Sequence, residues 1–372
     1  MRSLRNVLIA AIATMGLFTT AAGAVVMKTT RGHRVSVTLR AGVKRSHLRG
    51  LSLVRSRTSR ARASAGGVLL YHGGPVLHSE APYLIYWTPA GHSIPSSNQT
   101  VLNQYLSDVA IDSGGTDNVY AVLTQYSDTS GAASYSQTFG SSQVIQDTHA
   151  YPANNKGGCP LATGITACVT DGQLQAEITR LIGVDHLGTG VGAHAPIYFV
   201  ITPQDVNVCL SGGACSTNNF CAYHGFFNDG SAPVLYSSVP FSVWAGGSVK
   251  GCQDDGTAVY QTPDQGSQRK FFGDHGYQIA DNLSHELSET ITDPLINAWY
   301  TSGFGSEVGD LCEAFAPVSN PNKDLSAHAY FPTLAGTAAA GDLVDQFFNG
   351  HYYYNQTEWS NAAGDCMATP TT

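Results

Sequence analysis

The cysteine distribution constrains this chain more than any other feature. All eight cysteines of the 372-residue sequence lie after residue 158, at Cys159, Cys168, Cys209, Cys215, Cys221, Cys252, Cys312 and Cys366. An even number without paired C-x-x-C units is typical of disulfide bonds rather than of a zinc site, and each bond contributes about 2–4 kcal/mol. Eight cysteines allow on the order of a hundred pairings. Short separations favour Cys159–Cys168 and Cys209–Cys215, and a Cys312–Cys366 bond is expected to tie down the C-terminal part.

The first 24 residues have the features of a secretory signal peptide. Arg2 and Arg5 precede an apolar run over 7–18, and Ala22-Gly23-Ala24 follows. A basic start, a short apolar run and an A-x-A end predict cleavage after Ala24. The run is shorter than the roughly 20 residues that a membrane-spanning helix needs. We therefore predict a secreted protein without a transmembrane segment.

Charge divides the rest of the chain into two parts. Residues 25–66 contain eleven Lys or Arg and no Asp or Glu, whereas 67–372 contain six basic against 27 acidic residues, a net charge of −21. Like-charge blocks rich in Arg, Ser and Gly rarely build a core, so 25–66 is predicted to be a disordered linker or a pro-segment that docks on the acidic body. Such an arm could also bind anionic polymers. The anionic body disfavours nucleic acid as a partner.

Strands and helices are both expected in the body, residues 67–372. Short apolar runs bounded by Gly or Pro predict buried strands at Val68–Tyr71, Tyr83–Thr88 and Pro196–Thr202. Amphipathic spacing predicts one helix near Val101–Ile111 and another from an Asp171 cap, with its apolar face formed by Leu174, Ile178, Leu181 and Ile182. This pattern indicates an α/β or α+β fold, a single large disulfide-containing domain around a central mixed sheet.

A third helix carries the candidate site. Its apolar stripe recurs every four residues, at Ile279, Leu283, Leu287 and Ile291. The opposite side presents polar residues, namely Asn282, His285, Glu289 and Asp293, with Glu286 at the margin. His285 and Glu289 are four positions apart and can bind one ion, while Glu286 lies where a general base would activate a metal-bound water. The arrangement is that of H-E-x-x-H zinc hydrolases with Glu as the second ligand.

Two downstream carboxylates are candidates for the remaining ligand. Glu307 and Asp310 follow the helix, one to bind the metal and the other to orient a ligand. A solvated polar helix face is the competing interpretation. Eight carboxylates lie between Asp274 and Glu313 with no Lys or Arg among them, which favours a bound cation. Zinc is the first candidate, and calcium the second because carboxylate ligands harden the site.

Four segments together resemble the EXORDIUM / phosphate-induced protein family. They are Tyr71–Leu77, Phe220–Gly225, Ser284 to Glu313 with Asp293-Pro294-Leu295 and Trp299-Tyr300, and Tyr354 to Cys366. The resemblance implies an extracellular or cell-wall protein, in plants linked to growth and cell expansion, but no particular reaction. Only Cys252 stands where plant members carry a paired-cysteine segment after His224.

Two hypotheses about function stay open. In the first, the protein is a metal-dependent hydrolase of peptidase type: His285 and Glu289 bind the ion, Glu307 or Asp310 completes the shell, and Glu286 is the base. In the second, it is a non-catalytic protein of the cell wall or of growth signalling, with a structural ion. The partner would be an extracellular polypeptide or a cell-wall polymer, and the oligomeric state is not predicted.

Other residues are weaker candidates. His224 is either an additional ligand or a packed loop histidine. His72 makes a structural hydrogen bond or faces a cleft, and Trp299 and Tyr300 line a sugar or peptide site or pack in the core.

Overall fold

The computed structural model describes residues 25–28, 34–39, 52–53, 68–153, 159, 164–210, 213–230, 232–241, 276–302, 305–314, 346–353 and 355–370. The predicted signal peptide over 1–24 lies outside these residues.

An eight-stranded mixed sheet forms the centre of the molecule, as predicted. The strands of the described chain are β1 Val25–Lys28, β2 Arg34–Leu39, β3 Ser52–Leu53, β4 Leu70–Tyr71, β5 Glu80–Trp87, β6 Ser127–Asp128, β7 Gly131–Ala132, β8 Val144–Asp147, β9 Ala167–Thr170, β10 Ala195–Thr202, β11 Val206–Cys209, β12 Phe220–Asn228, β13 Pro233–Pro240, β14 Trp299–Tyr300, β15 Gln346–Phe348, β16 His351–Tyr353, β17 Glu358–Ser360 and β18 Asp365–Met367. The order across the central sheet is β3-β1-β2-β12-β13-β10-β5-β8. Strands β13, β10, β5 and β8 are parallel, and the strands from β12 to β3 pair antiparallel.

Helices cover both faces of this sheet. They are α1 Ser96–Ile111, α2 Val119–Val122, α3 Asp171–Asp185, α4 Gly276–Thr292 and α5 Asp310–Ala314. The alternation along β5 divides the core: Leu84 and Tyr86 pack with α1 and α4, whereas Ile85 and Trp87 pack with α3 on the other side. The helices predicted near Val101–Ile111 and from Asp171 are confirmed, although Thr170 rather than Asp171 caps α3.

The basic segment 25–66 contributes strands to the sheet, which differs from the expectation of a disordered linker. Strand β2 pairs antiparallel with β12 in a register that places Ser36 beside His224. Val35 and Val37 alternate with Ser36 and are fully buried in the core shared with α3. In β2 the apolar residues Val35, Val37 and Leu39 alternate with polar ones, a pattern that suits a strand despite the charge of the block. The role of the whole segment as a linker or pro-segment stays a prediction. Proteolytic removal of the segment stays a prediction.

Disulfide bonds join the three predicted cysteine pairs. The structure contains Cys159–Cys168, Cys209–Cys215 and Cys312–Cys366. The last pair connects α5 to β18 and so holds the end of the chain against the rest of the domain.

Candidate metal centre

Helix α4 is enclosed on every side. Its apolar residues Leu283 and Leu287 lie in the core, and His285, Glu286 and Glu289 on its polar side are at most 1% exposed. The interpretation of a solvated polar face is therefore wrong. Polar groups at such depth need partners, since an unpaired buried charge costs several kcal/mol.

The two nitrogens of His285 have different surroundings. Its Nδ1 lies 2.9 Å from Oε1 of Gln356, whose side-chain nitrogen donates to the carbonyl of Gly309. Since Oε1 can only accept, Nδ1 carries the hydrogen and donates it. Nε2 then faces two carboxylates, with Glu289 Oε1 at 3.2 Å and Asp310 Oδ1 at 3.5 Å. An unprotonated Nε2 would direct its lone pair at these oxygens, so a proton on Nε2, a proton on one of the carboxyl groups or a metal ion must lie between them.

Gly309 allows this close approach of α5 to α4. A Cβ atom on Gly309 would lie 2.7 Å from Nδ1 of His285 and 2.8 Å from Cε1. Any larger residue would displace the imidazole or the backbone.

A second histidine reaches the cluster from strand β12. His224 is fully buried, and its Nε2 lies 3.1 Å from Glu307 Oε2 and 3.4 Å from Glu289 Oε2. Glu289 therefore lies between the two imidazoles, with one oxygen toward each. Of the two interpretations of His224, the structure supports a place in the cluster.

The separations between donor atoms suit a small ion. In this cluster, two groups offer donor atoms within 4.8 Å of one another: His224 with Glu289 and Glu307, and His285 with Glu286 and Glu289. Zinc bonds of about 2.0–2.1 Å place neighbouring tetrahedral ligands roughly 3.3–3.4 Å apart. The histidine–carboxylate distances of 3.1–3.5 Å lie around that value. All five predicted site residues thus lie in one cluster, and their roles stay predictions.

Further buried carboxyl groups surround this cluster. Asp281, Asp293 and Glu358 are each 0% exposed. Asp293 accepts hydrogen bonds from the backbone N–H groups of Asn297 and Ala298. The sequence did not predict that Gln356 and Glu358 belong to the cluster. Both follow the end of α4 by more than 60 positions, and no local pattern links residues that far apart.

Burial and mutual repulsion set the protonation of these carboxyls. Burial raises the pKa of Asp293 to about 7, and it raises the pKa values of Glu307, Asp310 and Glu358 well above their ordinary range. Repulsion from Glu289 adds to the shift in each case. Most of these groups therefore hold a proton at neutral pH when no cation offsets their charge.

The pKa of Glu289 shifts in the opposite direction, because the two imidazoles adjoin this carboxylate. Burial would raise the pKa of Glu289, but His285 and His224 outweigh this and lower it below its usual range. Burial likewise opposes protonation of both histidines, yet Glu289 raises the pKa of each. A metal ion bound here would have to displace protons from the histidines.

The aromatic candidates and His72 lie outside the cluster. His72 stacks on Tyr300 with ring centroids 3.6 Å apart and donates from Nε2 to the Tyr300 carbonyl. Trp299 donates to the Ser127 carbonyl, and its ring packs on Tyr126. These contacts support the structural interpretations of His72 and Trp299.

The fold and the cluster define a disulfide-stabilised α/β protein with a buried histidine–carboxylate centre. Comparison with known families shows which family the chain belongs to. The model of the phosphate-induced protein 1 conserved region matches residues 69–316, and the chain belongs to this family. The matched region contains His224, the whole of α4, Glu307 and Asp310, whereas Gln356 and Glu358 follow it.

One relative is Protein EXORDIUM-like 5 of Arabidopsis thaliana. It is 25% identical over 258 residues, which cover 66% of this chain and 64% of that protein, so the chain spans less than two thirds of its length. No solved structure matches the chain significantly. In the part of the chain that the structure describes, no helix is both long and apolar enough to cross a bilayer.

Proposed function

We propose that this is a secreted protein whose buried cluster binds one divalent metal ion. The observation that carries the proposal is the environment of His285 Nε2, which faces Glu289 and Asp310 while Nδ1 is committed to Gln356. A metal ion at this position would accept the imidazole lone pair and neutralise the carboxylates together.

Zinc is the favoured ion. Each of the two groups of donor atoms combines one imidazole with two carboxylates, so nitrogen and oxygen donors are mixed. Zinc takes such sets, whereas calcium prefers oxygen ligands alone. His285 and Glu289 would hold the ion with Asp310 or Glu307 as the third ligand, which leaves one position for water. His224 would contact the other oxygen of Glu289. Calcium stays the alternative because carboxylates outnumber imidazoles.

Peptidase-type hydrolysis is a second proposal, and the position of Glu286 favours it. Glu286 belongs to the same group of neighbouring donor atoms as His285 and Glu289, where a base could take a proton from a metal-bound water. The enclosure of Glu286 adds a condition: a polypeptide can reach it only after part of the surrounding chain moves. Without such movement, the ion would serve to hold α4, α5 and β12 together in a non-catalytic wall or signalling protein.

Metal content of the full chain, measured by elemental analysis after dialysis, tests the first proposal. We expect one equivalent of zinc in the wild type and its loss in Glu289→Gln, which keeps the size of the side chain, and in His285→Ala. His78→Ala is the matched control, because His78 is exposed and pairs with Asp128 outside the cluster. Absence of metal in the wild type, even after incubation with zinc or calcium, would refute the proposal. One equivalent of calcium in the wild type would identify the bound ion as calcium instead of zinc.

Glu286→Gln separates the second proposal from the first. We expect this variant to retain its zinc and to lose any hydrolysis of a casein or peptide-library substrate that the zinc-loaded wild type shows. Equal hydrolysis by both proteins would exclude Glu286 as the base, and loss of zinc would make Glu286 a ligand instead.

A further inference from the structure

A cleft of about 370 Å³ lies at the C-terminal edge of the parallel strands and shares no lining residue with the metal centre. Its walls come from the segments after β5 and β8 and from the start of β9. His92, Thr148, Tyr151 and Thr166 are among the lining residues. A volume of this size suits a small molecule, since ligand pockets usually enclose about 300–1,000 Å³.

The topology of the sheet explains why an opening occurs here. Strands β5 and β8 are parallel neighbours, but the chain leaves them toward opposite faces. After β5 it continues into α1 on one face, and after β8 it proceeds to α3 on the other. The two loops therefore separate instead of packing together. Ligands of open α/β sheets bind in the crevice outside the carboxyl ends of such strands.

The polar groups of the cleft are held in fixed positions. Nδ1 of His92 lies 2.9 Å from Oδ2 of Asp205, which follows β10, the parallel strand on the other side of β5. The hydroxyl of Thr166 donates to the same carboxylate. The carboxylate of Asp205 thus lies against the Nδ1 side of the imidazole without a hydrogen bond of good geometry, and Nε2 on the other side of the ring is placed to contact a ligand.

Tyr151 forms an aromatic wall of this cleft. Its hydroxyl donates to the Trp87 carbonyl at 2.5 Å, and its ring meets His92 edge-on with centroids 4.9 Å apart. None of the described lining residues is Lys or Arg, and Asp205 lies behind the imidazole. An anionic ligand would therefore be repelled rather than paired.

We propose that this cleft binds a small uncharged molecule rich in hydroxyl groups, of the size of one or two sugar units. The ring of Tyr151 would cover its apolar side, and the imidazole of His92 with the hydroxyls of Thr148 and Thr166 would exchange hydrogen bonds with its hydroxyls. This site goes beyond the proposed metal centre and does not depend on it.

Saturation-transfer NMR on the full chain tests the proposal with millimolar glucose, galactose, xylose and cellobiose. Glucuronate and galacturonate serve as the charged counterparts. We expect transfer to at least one neutral sugar and, on titration, a Kd about tenfold higher for the corresponding acid, which corresponds to about 1.4 kcal/mol. No transfer to any neutral sugar, or an equal Kd for the acids, would overturn the proposal.

Two cleft variants locate the binding. Ala150→Trp fills the cleft from an exposed lining position, and His92→Ala removes the imidazole. Both should lose the neutral-sugar signal while their unfolding midpoints stay near that of the wild type. His149→Ala is the matched control, because His149 is adjacent and exposed but not a lining residue. Retained binding in Ala150→Trp, or loss in His149→Ala, would refute the assignment.

Discussion

Replacing Glu80 by glutamine should stabilise the protein at neutral pH and change its stability much less at pH 4.5. Glu80 begins β5 with a fully buried side chain, and neither carboxylate oxygen has a hydrogen-bond partner among the described residues. Burial raises the pKa of Glu80 from 4.5 to about 8. Between these values the folded protein holds a proton that the unfolded chain has released.

The sign and size of the effect follow from this difference. Because the folded state binds more protons, raising the pH from 4.5 toward 8 favours the unfolded state. From pH 4.5 to pH 7 the free energy of unfolding falls by about 3 kcal/mol on account of Glu80 alone, at about 1.4 kcal/mol per pH unit. Glutamine does not titrate, so Glu80→Gln removes this loss. Any packing cost of the amide is the same at both pH values and cancels in the comparison.

Urea unfolding of wild type and variant at pH 4.5 and pH 7 measures the effect. The stability difference between the two proteins should be about 3 kcal/mol more favourable to Glu80→Gln at pH 7 than at pH 4.5. Asp117→Asn, at an exposed carboxyl, serves as the control and should give a change near zero. If the stability difference between wild type and Glu80→Gln were the same at both pH values, burial would not keep the Glu80 carboxyl neutral, and the prediction would be refuted.

Three further predictions concern the way distant segments are joined. Replacing Cys312 and Cys366 by serine opens a link across 54 positions and should lower the free energy of unfolding by about 4 kcal/mol, measured by urea denaturation. Asp108→Asn weakens three side-chain hydrogen bonds, one from the turn between β15 and β16 and two from β16, so a loss of about 2–3 kcal/mol and faster hydrogen exchange in this hairpin are expected. Val37→Asp places a charge in the core and should abolish exchange protection of β2 and its partner β12.

Each of these predictions has a matched control. The Cys209–Cys215 pair spans only 6 positions, and its removal should cost about 2 kcal/mol; an equal cost for both pairs would contradict the loop-length argument. Asp185→Asn and Val68→Asp change exposed side chains and should leave exchange near β15, β16 and β2 unaltered. Unchanged protection of β2 in Val37→Asp would mean that this strand does not pair with β12.

The basic segment also helps to enclose the buried histidine–carboxylate cluster. Strand β2 borders the cluster: Ser36 pairs with His224 in the sheet register, and its hydroxyl offsets a small part of the rise in the pKa of Glu307 that burial causes. Arg34 on the same strand donates to the carbonyl of Ile296 after α4. The basic segment is thus joined to the elements that carry the site, and exchange measured in Val37→Asp reports on both.

Local helices could be predicted from the sequence, and three cysteine pairs were favoured by it. The spacing of Ile279, Leu283, Leu287 and Ile291 predicts α4, and the same spacing places His285 and Glu289 on one side of it. Short cysteine separations favoured two of the disulfides. These properties can be predicted from the sequence because helix periodicity and short loops involve residues within a few positions of one another.

The surroundings of the polar side of α4, which carries His285 and Glu289, could be learned from the tertiary structure alone. A polar helix face in water and one enclosed with His224, Gln356 and Glu358 have the same periodicity, so the pattern does not distinguish them. Likewise, the alternating apolar residues of β2 favour a strand, but the strand forms only because β12 offers an edge to pair with. Residues separated by 60 or more positions are brought together by strand pairing and core packing, whose energies depend on the whole assembled fold and not on any local stretch.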